Sequence, residues 1–200
     1  MNLEEGRHLV RLSREILKEY FILKDKEKLE EKFKQELDKL TEIRGIFVTL
    51  HSYPRYDLKG CIGFPDPMEP LGKLLLESTL AAMQDPRFPA LKEKELNKIV
   101  IEISLLTKPE LIKVQSSKDY PKQIQIGKDG LIIELEDFHG LLLPIVAVEH
   151  KMNPEQFLDN CCIKAGLIPE IWREGQCNIY KFQTEVFSEV KPNGEIIQKI

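Results

Sequence analysis

A cysteine set among glycines, in Lys59-Gly60-Cys61-Ile62-Gly63-Phe64, is the best single candidate for chemistry in this 200-residue chain. Glycines at 60 and 63 leave the backbone without side-chain cover, so a ligand or another strand can approach closely. A thiol placed there acts as a nucleophile or redox group if a neighbour lowers its pKa. Otherwise it is a small hydrophobe in a tight sheet. His51 is the base within reach. If the run ending at His51 and the Cys61 run form a hairpin, His51 faces Cys61 in one register and turns away in the register one residue off.

Other groups offer weaker possibilities. Asp85-Pro86-Arg87-Phe88-Pro89 is a turn in which Arg87 either presents a guanidinium fork to a carboxylate or phosphate ligand, or pairs locally and fastens the turn. Glu102 lies among alternating apolar residues. If its face is inward, the carboxylate is paired or has a raised pKa suited to general acid or base work; if it lies at a sheet edge, it is simply exposed. Glu149 and His150 are adjacent, so on a strand they point to opposite faces and form no dyad, and His139 reads as a surface residue. Cys161 and Cys162 share a helical stripe with Phe157, Leu158 and Ala165, which favours packing. Trp172, near Cys177, reads as a cap on the core.

Composition narrows the classes further. The 29 basic and 33 acidic residues give a net charge of −4, with the signs interleaved along the chain. Nucleic-acid binding needs clustered Lys and Arg, so it is disfavoured, and so is an anionic membrane surface. Lysine outnumbers arginine beside abundant glutamate, a bias found in hyperthermophile proteins. The four cysteines include no CxxC and no nearby histidine, so the spacing calls for no metal and no cofactor. Apolar runs are far shorter than the roughly 20 residues that span a bilayer. Glu4 and Glu5 stand where a secretory leader would carry basic residues, which leads us to expect a cytoplasmic protein.

The elements that must position these residues follow from periodicity. Residues 3–23 repeat apolar positions at helical spacing, and 24–44 continue as a solvated helix with a narrow Leu29, Phe33, Leu37, Leu40 seam. Ile46, Val48 and Leu50 then alternate, and 59–64 follows as the second arm of a hairpin. A helix is expected over 70–84, stopped by Asp85-Pro86. Strands are expected at 99–107, 124–127, 131–135 and 141–148, the last interrupted by Pro144, and a single long strand at 178–190. Asn153-Pro154-Glu155-Gln156 starts a helix that ends at Gly166. No regular βα alternation is present, so the fold is expected to be α+β with largely antiparallel sheet flanked by helices.

Three stretches in order, Lys59 to Phe64, Asp85 to Pro89, and Gly127-Lys128-Asp129-Gly130-Leu131-Ile132 followed by Gly140-Leu141-Leu142-Leu143-Pro144, resemble the AMMECR family over about residues 45–190. The chain departs from the family pattern at Lys59, often Arg there, at His139, often a small residue, and at Ile145, often Gln. An apolar Ile145 cannot supply the donor and acceptor of a glutamine. The resemblance implies an α+β fold of two subdomains with a cleft between them, the larger built from both chain ends, with residues 1–44 as its helical segment. It also implies intracellular life and association with Memo-like and radical-SAM proteins. The first reading is a binding or regulatory module acting near Gly60, Gly63, Asp85, Arg87, Phe88, Leu143 and Pro144. The alternative is a thiol-dependent enzyme using Cys61, with His51 and Glu102 as further catalytic candidates and Arg87 holding an anionic group.

Overall fold

The computed structural model describes residues 1–65 and 68–199. The chain divides into two units, one formed by Met1–Leu106 with Glu185–Ile200 and the other by Thr107–Thr184.

The first unit places three helices, α1 (Leu3–Leu23), α2 (Lys26–Leu37) and α3 (Leu71–Met83), with a sheet of five strands: β1 (Ile46–Ser52), β2 (Leu58–Phe64), β3 (Ile99–Leu106), β8 (Thr184–Glu189) and β9 (Ile196–Lys199). The strand order is β2-β1-β3-β8-β9, with β1 antiparallel to both β2 and β3. Alternation does the sorting: Ile46, Val48 and Leu50 of β1 and Ile99, Ile101, Ile103 and Leu105 of β3 enter the core with Leu9, Ile16, Leu17, Leu71 and Leu75 from the helices. Thr49, His51, Cys61 and Glu102 therefore fall on the face away from the helices. Asn2 opens α1 with a capping box to Glu5, and Asp25 caps α2.

The second helix stops at Leu37 rather than running to 44. The residues beyond it serve another purpose. Pro70 gives α3 no side-chain cap, and the first-turn N–H groups of Leu71 and Gly72, which have no partner within the helix, donate instead to the carbonyls of Glu42 and Leu40.

The second unit holds a four-stranded antiparallel sheet in the order β4-β7-β5-β6, from β4 (Glu110–Leu111), β5 (Gly130–Leu135), β6 (Phe138–Leu142) and β7 (Asn178–Phe182). Two helices, α4 (Pro144–Glu149) and α5 (Pro154–Lys164), accompany it. Leu131, Ile133, Phe157, Leu158, Cys161, Cys162, Trp172 and Ile179 form its core.

Three strand expectations are corrected here. Residues 124–127 are loop and turn, because Asp129 is buried and its carboxylate accepts the Gln125 N–H at 2.9 Å while Gly127 takes φ +84°. The 141–148 run ends as a strand at Leu142, and Pro144 opens α4, where a missing N–H costs nothing. The expected 178–190 strand is two strands in different sheets. Gln183, between them, pairs its backbone with Thr107 instead.

Chain ends are tied by a buried ion pair. Arg14 on α1 and Glu189 at the end of β8 are each 3% exposed, with Arg14 Nε donating to Glu189 Oε1 at 3.0 Å and Nη2 to Oε2. Arg14 also donates to the Leu96 carbonyl at 2.7 Å and the Ile99 carbonyl at 2.8 Å, and Glu189 accepts the Ile101 N–H at 3.0 Å. Removing one charge leaves the other buried without its partner, so Glu189→Gln is expected to cost about 3–5 kcal/mol in chemical denaturation. A loss below about 1 kcal/mol would show that the pair is not what holds the ends together.

Candidate functional site

Cys61 sits at the middle of β2, the outermost strand of its sheet, half-buried. Thr49 stands directly opposite on β1 and its hydroxyl donates to Cys61 Sγ at 3.3 Å. The hairpin register shifts between Leu50 and His51, which sets His51 against Leu58. Thr49, not His51, is the side chain across from the thiol.

His51 turns along the same face toward Glu102. Its Nε2 lies 4.0 Å from Glu102 Oε1, and its ring packs 5.9 Å from that of Tyr56. The other Glu102 oxygen accepts from the Lys199 ammonium, which also lies 5.7 Å above the Tyr56 ring. Glu102 is neither inward nor at a sheet edge: it lies on the central strand β3, on the face away from the helices, and its carboxylate is paired there. Burial lowers the His51 pKa, and the Lys199 charge adds to this while Glu102 opposes it. His51 Nδ1 is buried and has no hydrogen-bond partner among the described residues.

The Asp85-Pro86-Arg87 turn reaches the strand from outside. The Asp85 side chain is fully buried and collects four N–H donors: the Cys61 backbone at 2.9 Å, the Arg87 backbone at 3.1 Å, Arg87 Nε at 3.0 Å and Arg87 Nη2 at 2.7 Å. The Arg87 guanidinium and these backbone N–H groups hold its carboxyl well below the usual range, against the opposing effect of burial. Arg87 Nη2 reaches on to the Cys61 carbonyl at 2.9 Å, and its guanidinium lies 5.5 Å from the Phe88 ring. Arg87 is therefore fastened locally, with its side chain still 58% exposed.

Gly60 and Gly63 have reasons internal to the fold. A Cβ on Gly60 would strike the Ala82 carbonyl at the end of α3, and one on Gly63 would strike the Ile46 carbonyl and Phe47 of β1. Burial pushes the Cys61 thiol up, offset in part by the Thr49 hydroxyl and the Arg87 charge. Cys161 and Cys162 are buried and pushed up to about 12 and about 11, and Cys177 is also raised.

In the second unit, Leu143 is the extended residue before α4 and Pro144 its buried first residue. Gly140 lies against the Cys161 carbonyl and Ala165 at the end of α5. His139 pairs with Glu134 at 3.5 Å, and Glu149 and His150 are exposed at the end of α4. Trp172 is buried and donates to Asp159 at 2.7 Å, in agreement with its reading as a residue of the core. Sequence reasoning passed over Thr49, Tyr56 and Lys199. Thr49 was legible from its alternation with His51, whereas Lys199 lies 97 residues from Glu102 and gave no signal. No group of three or more His, Cys, Asp or Glu among the described residues is placed to hold a metal.

The α+β chain of two units, with its glycine-lined edge strand held by a buried aspartate and a largely exposed arginine, has a fold shared with known proteins. The model of the AMMECR1 family matches residues 10–187, and the chain belongs to that family. The match takes in α1, so it begins well before residue 45. The protein MJ0810 of Methanocaldococcus jannaschii is 45% identical over 200 residues, covering 100% of this chain and 97% of its own. The Pyrococcus furiosus protein PF1979 is 44% identical, covering 98% and 93%. The crystal structure of the uncharacterized protein PH0010 from Pyrococcus horikoshii superposes with a TM-score of 0.82 at 39% identity, covering 100% of this chain and 98% of its own. Among the described residues no helix is long and apolar enough to cross a membrane.

Two measurements follow from this geometry. Gly60→Ala is expected to cost about 1–3 kcal/mol, because the atom it would strike is backbone and cannot swing away; an unchanged unfolding midpoint would mean that α3 does not press on β2. His51 should titrate below 6.5 in histidine NMR spectra. With the folded value depressed, its contribution to stability is complete above the unfolded value and is lost as pH falls through the folded one. A His51 midpoint above 6.5 would contradict the burial seen here.

Proposed function

We propose that the protein is a binding or regulatory module acting through the Gly60–Phe64 strand and the Asp85–Pro89 turn, with the half-buried Leu143 of the second unit, rather than the buried Pro144, as a further contact. The observation that carries this reading is how the motif residues use their polar groups. Asp85 is saturated by donors, and Arg87 spends Nε and Nη2 on Asp85 and Cys61. What the turn offers outward is the remaining Arg87 Nη1 and the Phe88 ring beneath the guanidinium. A planar cation beside an aromatic ring suits an acidic or carboxylate-bearing group on a partner. Memo-like and radical-SAM proteins are the partners we propose on the strength of the family resemblance.

A thiol-dependent enzyme is the second reading. In its favour, Cys61, Thr49, His51 and Glu102 share one face of one sheet. Against it, the thiol is raised by burial and receives a hydrogen bond from Thr49 instead of giving its proton to a base.

Titration calorimetry of the purified chain against a Memo-like protein from the same genome separates the two. The Arg87→Ala/Phe88→Ala variant is expected to weaken binding at least about tenfold with its fold intact by circular dichroism, and Cys61→Ser to leave it unchanged. Binding unaffected by the double variant would defeat the module reading at this surface. Loss of cellular function on Cys61→Ser at unchanged stability would bring the thiol forward instead.

A further inference from the structure

An edge strand exposes a row of unpaired N–H and C=O groups, which is a template for another strand. β2 is such an edge, since β1 is its neighbour on one side and the sheet order ends with it. In an antiparallel pair, one residue exchanges both its N–H and its C=O with the residue opposite. At Cys61 this exchange is complete on the outer edge, and no strand makes it. The Cys61 N–H donates to Asp85 Oδ2 at 2.9 Å, and the Cys61 carbonyl accepts from Arg87 Nη2 at 2.9 Å. Asp85 and Arg87, bonded to each other at 2.7 Å, supply one acceptor and one donor as a residue of a neighbouring strand would.

We propose that the Asp85–Arg87 clamp is a side-chain imitation of a neighbouring strand, closing the β2 edge against a second copy of this chain. A second copy is the occupant that this edge fits. An antiparallel β2–β2 pair centred on Cys61 is self-complementary at that residue, because each Cys61 offers the donor and the acceptor that the other needs. In that register Lys59 of one copy lies across from Gly63 of the other. No like charges meet, and Gly63 carries no side chain to obstruct the approach. The clamp is built into the fold. Gly60 lets the end of α3 come against β2, and the chain leaving α3 then delivers Asp85 to the edge two residues after Met83. Polar side chains placed along an exposed edge are a recognised way of keeping sheets apart. Here both are committed to the backbone of a single residue. This assignment does not rest on the binding role proposed above, which uses the outward Nη1 of Arg87 and the Phe88 ring.

The test opens the clamp and looks for the strand pair. Asp85→Ser/Arg87→Ala, checked for folding by circular dichroism, is compared with the wild-type chain by sedimentation velocity over a range of concentrations and by a short bismaleimide cross-linker. The other three cysteines are buried, so cross-links report on Cys61. Expected are a shift of the variant toward dimer by at least about tenfold in dissociation constant, and a cross-linked dimer that Cys61→Ser abolishes. A folded variant that stays as monomeric as the wild type overturns the proposal, and so does a wild-type chain that cross-links through Cys61 equally well. If the variant does not fold, amide exchange on the wild-type chain decides. The Cys61 amide should be protected about 10–100-fold over that of Gly63, which the two-residue alternation of the strand turns to the same outer edge but which neither Asp85 nor Arg87 reaches. Equal exchange at the two amides overturns the proposal.

Discussion

The buried pair of Arg14 and Glu189 is the interaction on which the larger unit depends, because that unit is assembled from two stretches of chain separated by the whole of the other. Nothing local brings β8 and β9 back beside β3. Phe187 and Ile196 pack them into the shared core, and Arg14 fixes their position by reaching from α1 to three places at once: the Glu189 carboxylate, the Leu96 carbonyl and the Ile99 carbonyl. Glu189 in turn holds the Ile101 N–H, so the pair joins the first helix, the entry to β3 and the end of β8 in one network. Such a pair contributes less to net stability than its count of hydrogen bonds suggests, since two charges had to leave water. Its effect is on specificity. Any register of β8 that failed to bring Glu189 to Arg14 would strand a buried charge, which costs more than the pair gains.

The same economy appears where helices meet sheets. Gly60 accepts the Ala82 carbonyl at the end of α3, and Gly140 accepts the Cys161 carbonyl and Ala165 at the end of α5. In both units a strand lacks a side chain where a helix terminates against it. The glycine that suggested close approach of a ligand at position 60 thus has a packing cause, a contact that any Cβ would break, and Gly140 has the same cause. Gly72 repeats the device between helices, where the Leu37 carbonyl closes on the first turn of α3.

Much of this was legible in the sequence, for a physical reason. Elements fixed by periodicity and capping, such as α1, α3, β1, β3 and the Asn153 start of α5, are decided by residues close in the chain. What could not be read was decided by distant partners. Residues 38–44 look helical, yet they leave the helix because α3 needs their carbonyls. Residues 178–190 alternate like one strand, yet Gln183 turns to Thr107, 76 residues away. At the site, Cys61, Asp85, Arg87, His51 and Glu102 were each visible by type. Their grouping was not, because the bulge beside His51 and the Lys199 partner of Glu102 leave no local mark.

The charges around Cys61 explain why a cysteine in so prominent a motif stays a thiol. Ionising it would place a negative charge beside two others, Asp85 and Glu102, in a half-buried position where desolvation already opposes it. The cation nearest to it is Arg87, whose charge is largely committed to Asp85. Lys199 is committed to Glu102, and its charge also helps to keep His51 neutral, so no imidazolium is available to stabilise a thiolate. Arg87 and Lys199 are both matched to a carboxylate before the thiol is considered. An incoming anion that drew Arg87 off Asp85 would not activate Cys61, because it would occupy the one cation that favours a thiolate and leave the buried Asp85 carboxylate facing only backbone N–H groups. The Asp85–Arg87 pairing therefore holds the clamp shut and leaves the thiol without a free counter-charge at the same time.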